Sequence, residues 1–197
     1  MTSVIVGNMT ADQLRPLIET YLASLPGSPK GDKWKDVNAP RIPGVHKEVV
    51  TAGQEDKAQV EVTFHGPFTK NGDTDFVRSR MSEALRKKLR LSLREENSGT
   101  YGVSVSSSSY WIPKEQYTLS IRFTCESARG EELTEILFEE LRDMVATPIS
   151  EKDLEWLKHS ARKSREKALL SNSFWLGSID WRARYDVPLN DILTHES

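Results

Sequence analysis

Three stretches of this chain alternate between apolar and polar residues, and that alternation restricts the fold more than any other feature. In "AQVEVTFHGPF", Val60, Val62 and Phe64 alternate with Gln59, Glu61, Thr63 and His65. In "QYTLSIRFTCE" the apolar positions are Leu119, Ile121, Phe123 and Cys125, and in "YGVSVSSSSY" they are Val103 and Val105. Successive side chains of a strand point to opposite faces, so each stretch must bury one face and leave the other in water. Such a sheet needs a covering layer on one side only. Segments with helical spacing can supply it: Val77, Met81, Leu85 and Leu89, with Ala84 and Leu93 beside them, between Asp75 and Leu93; then Leu133, Ile136, Leu137, Leu141, Met144 and Val145; then Leu154, Leu157, Ala161 and Leu169.

The remaining pieces complete the order β-α, loop, β-β-α-β-β, α-α-α. "SVIVG" reads as an opening strand, and "TADQLRPLIETYLASLP" as a helix that Thr10 and Gln13 start with capping-box spacing. "HKEVVTA" reads as a strand joined through "GQED" into a hairpin with "AQVEVTFHGPF". Pro26, Gly27, Pro29, Gly31, Pro40, Pro43 and Gly44 mark a long surface connection, which Trp34 is expected to pin. Gly99 is placed to end the helix before it or to turn the chain, and "WIPKE" supplies the turn between two later strands. Pro148 ends one helix, Ser150 and Asp153 cap the next, and "SFWLGSIDWRARY" and "PLNDIL" read as short helices. The predicted fold is α+β: a two-layer sandwich of a mostly antiparallel sheet with helices packed on one face. Residues 1–197 are expected to form a single domain, and the opening directly in a strand suggests a piece of a longer chain.

Composition excludes several functions. The 27 Lys and Arg against 29 Asp and Glu leave a net charge of -2, so no global basic field favours nucleic acid. No run of about 18 apolar residues is present to span a bilayer. Cys125 is the single cysteine, so neither an internal disulfide nor a CxxC site can form, and its parity with Leu119, Ile121 and Phe123 makes it an inert buried thiol.

Zinc catalysis would need HExxH or HxxEH, because ligands four apart share one helix face. His46, His65, His159 and His195 are followed by "KEVV", "GPFT", "SARK" and "ES", and none completes either motif. No GxSxG elbow is present. The five cations of "LRKKLRLSLRE" could be offered as a phosphate-binding face, but they lack neighbouring aromatics for base stacking and read as a solvated helix face. Ser106 to Ser109 read as a polar strand end, lacking the glycines of a phosphate loop.

The stretch "LREENSGTYG" sets Arg94 and Tyr101 on either side of a Gly-containing turn. From the residues alone, Arg94 can favour a helix C-terminus through the dipole. Tyr101 shares parity with Val103 and Val105, which would turn it to the core unless the strand twists or bulges. This segment resembles one carried in the C-terminal half of pitrilysin-type zinc peptidases, also called the inverzincin or insulinase family. "IVGNMTADQLRPLIETYLASLP", "AQVEVTFHGPF", "ISEKDLEWLKHSARKSRE" and "SNSFWLGSIDWRARYDVPLNDI" are similar to other parts of that family in the same order.

The resemblance implies a zinc-free C-terminal domain with no catalytic residue and no metal ligand of its own. It implies zinc in the parent protein, held on HxxEH by an N-terminal half of the same chain or by a partner subunit. It implies a peptide substrate enclosed in a chamber, with Arg94 and Tyr101 as substrate-binding residues that reach the carbonyls near the scissile bond. No nucleic acid and no membrane span enter this reading, and a bacterial periplasm or cell-envelope location follows from it. Two other readings stay open. One is an inactive scaffold like the processing-peptidase partner or the bc1 core subunits. The other is an independent module whose free sheet edge adds a peptide strand.

Overall fold

The computed structural model describes residues 2–27, 35–37 and 42–194. The chain divides into two units, residues 35–158 and residues 1–34 with 159–197. Trp34, His195, Pro29, Gly31 and Pro40 lie outside the described residues.

In residues 35–158, the alternating stretches become β1 (Ala58–Pro67), β2 (Val103–Tyr110) and β3 (Gln116–Cys125). They form an antiparallel sheet in the order β1-β3-β2. The register stacks like with like: Val60, Phe123 and Val103 lie side by side, as do Val62, Ile121 and Val105. These rows point inward against α2 (Gly72–Arg90) and α3 (Gly130–Ala146). Leu85, Leu89, Leu93, Leu133 and Leu137 are fully or nearly fully buried there with Ile121, Phe123 and Cys125. Burying a Leu or Phe side chain contributes about 1.5–3 kcal/mol, so this cluster is the main stabilising feature of the unit. The other face of the sheet is polar: Arg122 holds Glu61 at 2.8 Å, and Thr63 meets Ser120 at 2.9 Å. The α+β sandwich with helices on one face is borne out.

The four serines at the end of β2 divide between the two faces. Ser107 and Ser109 point toward α2, where Ser107 Oγ meets Arg78 Nη1 at 2.5 Å and Ser82 Oγ at 2.7 Å, and Ser109 Oγ donates to Asp75 at 2.5 Å. This polar network replaces the apolar stripe on the first half of α2, so Val77 and Met81 are 62% and 47% exposed. The Asn71 side chain, in a capping box with Thr74, starts the helix.

Two expected strands do not form. Residues 46–52 run without a ladder, with Val49 and Val50 77% and 80% exposed, and so make no hairpin with β1. Neighbouring Val49 and Val50 would point to opposite faces, which leaves no single apolar face to bury. Lys47 instead pairs with Glu131 at 2.7 Å. "SVIVG" is likewise irregular; its consecutive Val4, Ile5 and Val6 would need cover on both faces and a strand partner, and none pairs with it among the described residues.

In the other unit, Thr10 and Gln13 complete the capping box of α1 (Ala11–Tyr21). α4 (Glu151–Leu169) begins in the first unit and continues into this one; it starts at Ser150, whose hydroxyl accepts from Asp153 N–H at 3.1 Å. α5 (Asn172–Tyr185) is placed by Trp175 Nε1 donating to Leu169 O at 2.8 Å, and the Arg165 guanidinium lies 5.1 Å from the Phe174 ring centroid. α6 (Asp191–Thr194) is held by a hydrogen bond from Arg165 to Ile192 O.

Candidate functional site: the turn between Arg94 and Tyr101

α2 does not stop at Arg90. It widens into a π-helical segment, Leu91–Glu96, an uncommon conformation found frequently at functional sites. Leu93 anchors the segment in the core while Arg94 faces water. Asn97 closes it twice over, its N–H and its Nδ2 donating to Ser92 O at 3.1 and 2.8 Å.

Gly99 does not supply the left-handed turn residue; Ser98 does, at φ 47°. Gly99 is required for space. A Cβ there would lie 2.5 Å from Leu133 Cδ2 and 2.9 Å from Cδ1. Gly99 N–H donates to Leu93 O at 3.0 Å, tying the turn back to the helix it leaves.

Arg129, on the 3-10 turn Ser127–Arg129 ahead of α3, clamps the same turn. Its Nη1 donates to Asn97 O at 3.0 Å, while Nε and Nη2 hold Glu132 at 3.1 and 2.9 Å. That hydrogen bond keeps the Glu132 carboxyl below the usual carboxylate range. Buried Thr100 completes the anchoring. Its hydroxyl lies 2.8 Å from Thr124 O and 3.0 Å from Gly102 O, and accepts from Gly102 N–H at 3.2 Å.

Tyr101 therefore leaves the turn before the β2 ladder begins at Val103, with its N–H 3.4 Å from Thr124 O. Strand parity does not apply to it. Its side chain is 73% exposed, and neither it nor the Arg94 side chain makes a hydrogen bond or ion pair with another described residue. Gly102, next to it, lines a shallow hollow on the polar sheet face with Gln59, Ser104, Arg122 and Thr124.

Such an arrangement offers hydrogen-bond donors to solvent. A phenol donates one hydrogen bond and a guanidinium presents a planar fork, both suited to carbonyl oxygens. Cys125 is buried, and burial raises its thiol pKa. His46, His65 and His159 are exposed. Among the described residues no group of three or more His, Cys, Asp or Glu side chains could hold a metal ion. The anchors Asn97, Thr100 and Arg129 were not evident from the sequence. Asn97 ahead of Ser-Gly is a recognisable helix-end signal, whereas Arg129 acts from 32 positions away.

Comparison with known proteins identifies the family. The peptidase M16 inactive domain matches residues 1–160. The probable zinc protease PqqL of Escherichia coli is 29% identical over 168 residues, covering 83% of this chain and 18% of that protein. The Haemophilus influenzae protein of the same name is 27% identical over 158 residues, covering 76% and 16%. The crystal structure of the periplasmic protease PqqL from Escherichia coli superposes with a TM-score of 0.70 at 26% identity, covering 97% of this chain and 22% of that one. The chain thus spans about a fifth of the length of these relatives. It belongs to the pitrilysin-type M16 peptidase family, as an inactive C-terminal domain of the kind found in zinc protease homologues.

Proposed function

We propose that residues 1–197 form a zinc-free, substrate-positioning part of a zinc endopeptidase that cleaves peptides or small unfolded proteins in an enclosed chamber. The observation that carries this reading is the anchored turn, which fixes the backbone at Arg94 and Tyr101 while leaving both side chains exposed and without a partner among the described residues. Holding two polar side chains on a rigid frame without an internal partner is what preorganised recognition requires.

A zinc ion held by an N-terminal half of the parent chain, or by a partner subunit, would supply Lewis-acid activation. This chain contributes orientation. The Tyr101 hydroxyl donates to the carbonyl oxygen as negative charge develops on it, and the Arg94 fork holds neighbouring backbone carbonyls in register. The Escherichia coli relative is described as periplasmic, and we place the parent protein in the bacterial periplasm or cell envelope on that likeness.

The test is turnover of a quenched peptide by the full-length parent carrying Arg94→Ala or Tyr101→Phe, with zinc content and thermal unfolding matched to wild type. A loss of kcat/KM of tenfold or more, about 1.4 kcal/mol of transition-state stabilisation, is expected for each. An active parent indifferent to both changes refutes the assignment. A parent that binds peptide but holds no zinc and cleaves nothing points to a scaffold.

A further inference from the structure

The cation run of "LRKKLRLSLRE" resolves into two surfaces with different roles. Lys87 pairs with Asp153 at 2.6 Å and lies 4.5 Å from the Trp156 ring centroid, and Lys88 binds Asp143 and, at 3.2 Å, Glu140. These two lysines tie α2 to α3 and to the start of α4. Arg86, Arg90 and Arg94 instead face water. Arg86 and Arg94 have no hydrogen bond or ion pair among the described residues, and Arg90 has only Glu95 at 3.8 Å, with both side chains more than half exposed. Glu83, which precedes the row, is held by Arg80 at 2.7 Å. Glu95 and Glu96 are the acidic side chains of the π segment itself.

The three arginines recur every four residues, each one position after a buried core leucine, Leu85, Leu89 or Leu93. In a regular α-helix eight residues overshoot two turns by about 80°, which would carry the third arginine off the row. The wider i→i+5 closure after Leu91 turns the chain less per residue and returns Arg94 toward the line of Arg86 and Arg90. Four helical residues rise about 6 Å, close to the roughly 6.6 Å between alternate residues of an extended peptide. Like charges four apart disfavour a helix, and the single long contact from Glu95 to Arg90 leaves most of that cost for a bound anion to offset.

We propose that Arg86, Arg90 and Arg94 form a recognition row for an extended peptide with acidic side chains at alternate positions, continuing from the point where Arg94 engages the chain. The parent peptidase then prefers substrates with such an acidic segment beside the cleaved bond. This rests on the substrate-positioning reading of Arg94 and deepens it. Guanidinium forks suit carboxylates, which take two parallel N–H donors at once.

The test uses the full-length parent, stripped of metal by chelation so that nothing is cleaved, and fluorescence anisotropy of labelled peptides. One peptide carries Glu at alternate positions, one carries Gln in their place, and one carries the same number of Glu in a block. The alternate-Glu peptide should bind at least tenfold more tightly than the Gln peptide at low salt, with the gain falling as salt rises. Arg86→Gln with Arg90→Gln should remove that gain and leave Gln-peptide binding unchanged. Equal binding of Glu and Gln peptides by wild type, or a gain that survives in the double variant, overturns the row. So does a blocked-Glu peptide or an oligothymidylate of equal charge binding as tightly, which marks a general polyanion surface. Failure of the underlying reading looks different: Arg94→Ala and Tyr101→Phe then leave turnover intact while the acid preference persists.

Discussion

Replacing Gly99 by alanine tests whether the site turn is held by core packing. The added methyl group would sit 2.5 and 2.9 Å from the two Cδ atoms of Leu133, and 3.2 Å from Arg129 Nη1. Leu133 is 0% exposed and packs in the same core as Leu89, Leu93 and Leu137, so it has no free volume into which to swing. Overpacking of this kind costs about 1–3 kcal/mol. With a urea slope of about 2 kcal/mol per molar, a 2 kcal/mol loss moves the unfolding midpoint down by about 1 M. Gly102→Ala is the control: nothing lies within 4 Å of its Cβ, and the expected change is within about 0.5 kcal/mol. Leu133→Val in the Gly99→Ala background should recover part of the loss, giving a coupling of about 1 kcal/mol in a double-mutant cycle. A Gly99→Ala chain as stable as wild type, or an additive cycle, refutes the packing argument.

Thr100→Val removes the hydroxyl that links Thr124 O and Gly102, and should cost about 1–2 kcal/mol, read by the same urea unfolding. The hydrogen bond from Lys88, followed by that from Thr147, holds the Asp143 carboxyl below its usual range. Its contribution is therefore present above the unfolded carboxylate pKa of about 3.9 and is lost as pH falls through the folded value. The Tm gap between wild type and Asp143→Asn should stay constant from about pH 7 to 5 and close in stronger acid; a gap that widens on acidification contradicts the assignment. Cys125, 1% exposed, should resist a thiol-specific disulfide reagent in the native protein and react at full stoichiometry once unfolded.

The central strands were legible because their alternation marks a sheet with one covered face, and Val60, Val62, Ile121 and Phe123 pair as that pattern requires. The family resemblance singled out Arg94 and Tyr101 together, and both side chains are exposed, whereas parity alone would have turned Tyr101 to the core. What escaped was non-local. Residues 46–52 are rich in β-branched side chains, yet propensity without alternation gives no face to bury, and they stay irregular. Val77 and Met81 continue the spacing of Leu85 and Leu89, but Ser107, Ser109, Arg78 and Asp75 fill the interface there with hydrogen bonds. Gly99 signalled a turn correctly and its cause incorrectly, because the close approach of Leu133 depends on α3 packing rather than on local sequence. The split of the basic run into lysines paired across elements and arginines that face water likewise depends on where Asp143 and Asp153 come to lie.

The most direct test of the central claim is photocrosslinking from the site itself. A benzophenone amino acid in place of Tyr101 in the full-length parent should join covalently to a bound peptide near its cleavage position on irradiation, whereas the same probe at Val145, 90% exposed on α3, should not. Peptide adducts at Tyr101 mapped by mass spectrometry to residues flanking the cut are the predicted result; no adduct there, or equal yield from both positions, would contradict the account.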